Sequence, residues 1–453
     1  MVRHAEGDEY LLKYLSNIAN DYKCAVGLAL GQISLQRYNI IHFAKTPPFQ
    51  SEQDKNEEKP LKNLKSIAEV NDSWVADHAR QTTRMLPGGM QVLGIFVVSD
   101  EDILNPFNSK IKSILNLINK TLLAQNYLYG TGDNEKLVLH FSPKSQRYLA
   151  KTYDVVTTNV QPADFKFLQK NNKLFNLQCT YQIDHVYYLK HDEANGPLKK
   201  HIKVILDDIN RNLESGIIVF DNELKDPDEK LENLNKKKKV PRGSSNKTVQ
   251  DPNETTKAIT VSIFEKCVAS KSSDELRYSN IGGQIRIIGE VVCKLWLHSK
   301  GTFGEAVQAV KEDIMRSLTT RMEMHWDSLT EEELGEDITS VHEPPRRVLI
   351  ALPENNVTVS DYLFPGEGPE DAKASLEELL DIKADNHLVF LDLEGQADIT
   401  QYYRDTTQAK TDDSEDFLPT LRSDSNKLLY ILGLGFAIFV LVISIIVHFY
   451  TKA

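Results

Sequence analysis

One apolar run near the end of the chain constrains it most. Leu428–Tyr450 reads LLYILGLGFAIFVLVISIIVHFY, 23 residues without a single Asp, Glu, Lys or Arg. As an α-helix rising about 1.5 Å per residue it reaches about 34 Å, against a bilayer hydrocarbon core of about 30 Å. Each Leu, Ile, Val or Phe near the middle of a span favours insertion by about 0.3–0.6 kcal/mol, which sums to several kcal/mol. A core helix explains the run poorly, because core helices are rarely apolar on every face over such a length. Leu428, Leu429, Phe436, Phe439 and Ile445 supply apolar surface, Tyr430 and Tyr450 suit the two interfaces, and Lys427 and Lys452 bracket the run. A single membrane span over 428–450 is the expectation.

The opening residues, MVRHAEGDEYLLKYLSNIANDY, hold no apolar signal-peptide core. A lone span at the far end without a leader predicts a tail anchor with the body facing the cytosol. Asn71, Asn119, Asn246, Asn253 and Asn356 each begin an N-x-[ST] sequon, which on that side of the membrane is a chance match. Cys24, Cys179, Cys267 and Cys293 are far apart and form no C-x-x-C pair. That spacing excludes a zinc ribbon or thioredoxin motif and fits reduced, cytosol-facing thiols. A net charge of −12 argues against a nucleic-acid binder, which needs a basic face.

Apolar spacing in the body predicts an α/β (α+β) fold. A helix is expected over Asp8–Asn20, followed by strands at Cys24–Ile33 and Tyr38–Ala44 and a charged loop, SEQDKNEEKPLKN. A helix over Ser73–Met85 ends at Pro87-Gly88-Gly89, and a strand, Met90–Val98, follows. Asn105-Pro106 opens another helix. Strands at Lys136–Phe141, Arg147–Tyr153 and Leu177–Leu189, a helix at Leu198–Leu213 and a strand at Ile217–Phe220 complete a first domain, 1–222. Residues 223–257 are charged, with Pro, Gly and Ser, and read as a disordered linker. A second, smaller α/β region, 258–393, has a strand at Gln284–Leu297 and a helix opened by the capping box Thr302-x-x-Glu305. Further strands at Arg346–Leu352 and His387–Leu393 flank a helix over Pro369–Ile382. Residues 394–427 read as an acidic tether with an r.m.s. reach of about 30–35 Å.

Catalytic signatures are missing. There is no G-x-x-x-x-G-K-[ST], G-x-S-x-G, H-E-x-x-H or H-x-H string. Cys24 and Cys293 lie inside strand-like runs, where a buried thiol is inert. No catalytic residue, cofactor or metal is expected. Trp74, His78 and Arg84 stand together before Pro87, Gly88 and Gly89. Trp and Arg are common interface anchors, so these six are the candidate partner-binding residues, although Trp74 as core and Pro87–Gly89 as a plain turn would explain them too.

Several strings occur in one order: Val26-Gly27-Leu28-x-x-Gly31-Gln32, Thr46-Pro47-Pro48, Trp74-x-x-x-His78-Ala79-x-Gln81, Arg84-Met85-Leu86-Pro87-Gly88-Gly89 and Val92-Leu93-Gly94-x-Phe96. Thr152-Tyr153-Asp154, Pro162-Ala163-Asp164-Phe165-Lys166, Ala306–Lys311 with Asp313-Ile314, Arg347-Val348-x-Ile350-x-Leu352-Pro353 and Asp361-Tyr362 continue it. With the terminal anchor, this pattern resembles the odr-four family of tail-anchored endoplasmic-reticulum proteins. The resemblance implies two tasks: delivery of odorant-type G-protein-coupled receptors toward sensory cilia, and holding a ubiquitin-fold-modifier-specific cysteine protease at the reticulum. A receptor chaperone or cargo adaptor without a protease role is the alternative. The first half also resembles an MPN (JAB-type) domain. Val97 and Ser99 then stand where active members carry two metal-binding histidines, which implies a metal-free pseudo-domain kept for binding.

Overall fold

Two strands buried along nearly their whole length set the architecture. β2 (Cys24–Ser34) and β4 (Gln91–Ser99) each leave only one residue partly exposed. Strands covered on both faces read as continuous apolar runs rather than alternating ones. The computed structural model describes residues 3–35, 37–49, 64–101, 103–104, 107–124, 127–128, 134–169, 174–235, 258–265, 280–331, 341–355, 357–383 and 388–395. They fall within one unit, Met1–Ala397.

β2 and β4 belong to a closed seven-stranded barrel with β1 (Arg3–Asp8), β3 (Arg37–Lys45), β5 (Glu135–Ser142), β6 (Arg147–Asp154) and β7 (Val160–Leu168), in the order β1-β3-β2-β4-β5-β6-β7. Parallel pairing of β1 with both β3 and β7 closes it. Period-two alternation divides the side chains between two cores. Ala25, Ala29, Phe43 and Phe96 pack with Leu11, Leu15 and Ile18 of α1 (Glu9–Asp21). Val26, Leu28, Ile95 and Val97 pack with Val75 and Ala79 of α2 (Asp72–Met85) and with Ile111, Ile114 and Ile118 of α3 (Asn108–Leu123).

A second sheet orders β11 (Ile281–His298), β8 (Leu174–Lys190), β10 (Ile259–Phe264) and β9 (Ile217–Phe220) side by side. α4 (Leu198–Ser215) contributes Ile205, Ile209 and Leu213 to its core, and α5 (Phe303–Glu331) contributes Ala306, Val310 and Ile314. A third sheet orders β13 (Thr358–Leu363), β12 (Arg346–Ala351) and β14 (Phe390–Leu391). It shares the α2–α3 core with α6 (Pro369–Leu380) through Val348, Ile350, Leu376 and Leu380.

The mixed α/β class follows the sequence, and the differences have local causes. The capping box forms: Glu305 N–H donates to Thr302 Oγ1 (3.2 Å) and Thr302 N–H to Glu305 Oε2 (3.1 Å). β1 and β7 are additional strands; the first is RHAEGD and the second carries Pro162, so barrel closure rather than propensity holds them. Of the expected strand His387–Leu393, His387 lies outside the described residues, and Phe390–Leu391 forms a strand that pairs with β12 alone among the described strands. The third helix runs from Asn108 with Phe107 at its cap, and Asn105-Pro106, expected to open it, lies outside the described residues. β8 and β9 precede the expected linker while β10 and β11 follow it, so the boundary at 222 and 258 does not separate this sheet. The linker's first residues also pack: Leu231 is fully buried and Leu231–Asn235 forms a 3-10 turn. One apolar side chain finding the core suffices there, against a polar average. At the expected tether's start, Glu394 accepts from Arg321 Nη2 at 2.6 and 2.7 Å, from Val292 N–H and from Arg347 N–H. The 51–63 loop, residues 236–257, the rest of the tether and the 428–450 span lie outside the described residues. Among the described residues no helix is long and apolar enough to cross a membrane.

Candidate partner-binding site

Asn71 starts α2 by accepting the Ser73 and Trp74 N–H groups on its Oδ1, at 3.0 and 3.2 Å, the usual way to satisfy free first-turn donors. This cap fixes the direction in which Trp74 leaves the helix. The indole Nε1–H donates to Pro47 O at 2.8 Å. Its ring meets Phe49 edge-on with centroids 5.7 Å apart. The Thr46-Pro47-Pro48 turn stiffens the opposite side, because each proline fixes its own φ. Phe49 stays 50% exposed, so Trp74 and Phe49 form a rigid aromatic corner at the surface.

His78 lies one turn further along α2 and points inward. Its Nε2–H donates to Leu379 O at 2.8 Å, and its Nδ1 accepts from Thr46 Oγ1 at 3.1 Å. His42 on β3 does the same for Leu380 O, also at 2.8 Å. Two imidazoles thus cap the last carbonyls of α6, which otherwise lack partners. Asp381 follows in the left-handed region (φ 53°), accepting from Tyr14 Oη at 2.7 Å and pairing with Lys45 at 3.1 Å. Burial drives the His78 imidazole down to about 4, opposed by its bond to Leu379 O and by Asp77. Burial lowers His42 as well. The unfolded chain therefore binds more protons than the folded one between pH 6.5 and about 4, and stability falls as pH drops through that window. His78 alone is worth about 3 kcal/mol across it. Urea titrations should show this loss from pH 7 to pH 4 and a much shallower one in His78→Gln. An equally steep loss in the variant would remove His78 as its source.

Arg84 sits ten residues beyond Trp74, about 15 Å along the helix. Its Nη2 donates to Glu323 Oε2 at 2.8 Å and its Nη1 to Gln81 Oε1 at 3.1 Å. Pro87, Gly88 and Gly89 then turn against α5. A Cβ on Gly88 would lie 1.9 Å from Ala309 O, so only glycine permits this approach. Gly89 takes φ +76°, where glycine is favoured. The Gly88 N–H donates to Asp313 Oδ1 at 2.8 Å. Arg316, fully buried, donates its Nη1–H groups to Leu86 O, Pro87 O and Met90 O and its Nε–H to Leu128 O. Asp313 also receives a forked pair from Arg347 on β12, at 2.7 and 3.0 Å, with both side chains at most 2% exposed. Burial alone would raise the Asp313 carboxyl, but the Arg347 guanidinium outweighs it and holds it below the ordinary value.

The six expected residues therefore divide. Trp74 is partly exposed beside Phe49, Arg84 is held in an ion pair, His78, Pro87 and Gly88 are buried, and Gly89 is partly buried. Phe49, Asp313, Arg316 and Arg347 were not candidates; the signal for Asp313 and Arg347 was their place in the ordered strings quoted above. Burial raises the Cys24 and Cys179 thiols to about 12, and burial with the Asp313 charge raises Cys293 well above its ordinary value. Such thiols are protonated and unreactive. Beside Val97 and Ser99, the imidazole of His140 bonds Ser99 O at 2.9 Å. No three His, Cys, Asp or Glu side chains among the described residues come together to hold a metal ion.

Comparison with known proteins gives a consistent match. The family model described as "ODR4-like: Odorant response abnormal 4-like" covers residues 27–389. "Protein odr-4 homolog" of Homo sapiens is 29% identical over 385 residues, 83% of this chain and 82% of its own length. "Protein odr-4 homolog" of Drosophila melanogaster is 23% identical and covers 96% of both chains. Among solved structures, the crystal structure of UfSP from C. elegans aligns with a TM-score of 0.44 and 10% identity, over 85% of this chain and 58% of that one.

Proposed function

This chain belongs to the ODR4-like family, and from that premise we propose that it is a non-enzymatic adaptor tethered to the endoplasmic-reticulum membrane with its body facing the cytosol. In this role it binds a ubiquitin-fold-modifier-specific cysteine protease and supports the folding or trafficking of G-protein-coupled receptors. The observation that carries the proposal is the charge-free run Leu428–Tyr450, joined to the folded unit by a polar, acidic stretch. The three described thiols, Cys24, Cys179 and Cys293, are buried and protonated, which supports a role in which none of these three acts as a nucleophile. In this reading the barrel is the MPN-like part, and His140, the β5 partner of Val97, uses its imidazole to bond Ser99 O. Confining a partner beside the membrane raises its local concentration without any new contact.

The Trp74–Phe49 corner is the proposed contact, because a half-exposed Phe49 held against a partly buried Trp74 is the kind of aromatic pair that commonly anchors an interface. Trp74→Ala with Phe49→Ala should weaken co-purification of the protease at least tenfold, the loss of about 1.4 kcal/mol or more. Arg84→Glu, which repels Glu323, tests the other end of α2. Unchanged co-purification in both variants at normal protein levels would remove α2 as the contact. Recovery of receptor tails or coat components in place of the protease would favour the receptor chaperone or cargo adaptor.

A further inference from the structure

Two cavities meet where the barrel faces the start of α5. The larger, about 420 Å³, runs from Gln32 and Gly89 to Glu305, Gln308 and Glu312. The smaller, about 220 Å³, is lined by Glu6, Ser34, Arg37, Asn39, His298 and Lys300. Ser34 and His298 line both, so the two form one bent cleft.

The smaller end holds two buried polar atoms with no hydrogen-bond partner among the described residues, Ser34 Oγ and Asn39 Oδ1. Their residues are 6% and 1% exposed. Each such orphan destabilises the fold unless something meets it. Charge converges on the same place. Arg37 stands 4.0 Å from Glu6, a loose pair that leaves donors of Arg37 available, and Lys300 adds a second cation. His298 receives the Lys300 N–H on its Nδ1 at 3.2 Å, so its proton is on Nε2. Burial holds that imidazole below its ordinary value, with Glu6 opposing and Lys300 and Arg37 reinforcing. The histidine is therefore neutral at pH 7 and still a donor.

An anion alone would satisfy Arg37, Lys300 and the Ser34 hydroxyl but would set negative charge against Asn39 Oδ1, an acceptor. A group carrying an anion and an N–H side by side satisfies all four. The adjoining cavity also has room for more than an anion, and Glu305 and Glu312 outnumber Arg316, the cation in its lining, so its net sign is the opposite one. We propose that the cleft binds the free carboxyl end of an extended peptide. The terminal carboxylate takes Arg37, Lys300 and the Ser34 hydroxyl, and the last amide N–H donates to Asn39 Oδ1. The preceding residues run past Gln32 toward Glu305 and Glu312, which favour a basic side chain there. Backbone and carboxylate capture of this kind is sequence-tolerant at the last position and selective upstream. The proposal is independent of which protein occupies the Trp74–Phe49 corner.

The test uses the full chain in mild detergent and a fluorescein-labelled pool of random hexapeptides with free carboxyl ends, followed by anisotropy. The same pool amidated at the end is the control, and inorganic phosphate is the competitor. Saturable binding of the free pool is expected, weakened at least tenfold by amidation and by Arg37→Gln with Lys300→Gln, a loss of about 1.4 kcal/mol or more. Both substituted side chains are surface groups, and an unchanged melting temperature shows that the fold is kept. Ser34→Ala should weaken binding by a smaller factor, and pools fixed with Lys or Arg upstream should bind more tightly than pools fixed with Glu. Equal binding of free and amidated pools, no saturable binding, or no effect of the double variant would overturn the proposal. Binding of phosphate without peptide binding would also overturn it, leaving a small-oxyanion site.

Discussion

Replacing Asp313 with Asn is expected to lower the free energy of unfolding by about 3–5 kcal/mol, the usual cost of leaving one charge of a buried pair uncompensated. The reason is the number of elements meeting at this carboxylate. It receives the forked guanidinium of Arg347 from β12 and the Gly88 N–H from the turn before β4, and it is itself one turn short of Arg316 on α5. An amide in its place keeps one acceptor and aims its own N–H donors at a guanidinium that has nowhere to go. The denaturant midpoint should drop while the slope of the transition stays constant, which marks a change in stability rather than in the unfolded state. Asp313→Leu combined with Arg347→Met should recover part of the loss, because removing both charges removes the desolvation penalty as well. Neutralising Lys373, which pairs with a largely exposed Glu370, should change stability by less than about 1 kcal/mol. A loss of that small size in Asp313→Asn would mean that the joint is not what fixes α5 against the turn.

The same joint shows how far sequence reasoning reaches. Elements whose signals are local were legible. Ile217–Phe220 is a strand in both descriptions, Thr302 and Glu305 form their capping box, and the expected strands Cys24–Ile33 and Met90–Val98 form as β2 and β4. Elements held by distant partners were not. RHAEGD has no strand propensity and is a strand because β3 and β7 lie on either side of it. The polar composition of 223–257 hides Leu231, a single side chain that reaches the core. At the candidate site, Trp74, His78 and Arg84 share one helix, but sequence spacing does not say which face is covered. α6 covers His78, a contact made across 301 residues, and leaves Trp74 beside Phe49. Gly88 looked like a turn residue; its reason is the carbonyl of Ala309, which no local pattern reveals.

These details bear on the proposed task because an adaptor must hold its contact surface rigid while its attachment to the membrane stays loose. The aromatic corner is braced by a helix cap, two prolines and an indole hydrogen bond. Glu394, locked by Arg321 and the Arg347 backbone, marks the last point at which the described chain is tied to the body.

The most direct measurement is therefore the distribution of the body and its protease partner after removal of Leu428–Tyr450. The full chain should sediment with reticulum membranes and bring the protease with it. The shortened chain should move almost entirely to the soluble fraction and still co-purify with the protease at the same ratio. A shortened chain that stays on membranes, or one that becomes soluble but no longer binds the protease, would contradict a tether that works by position alone.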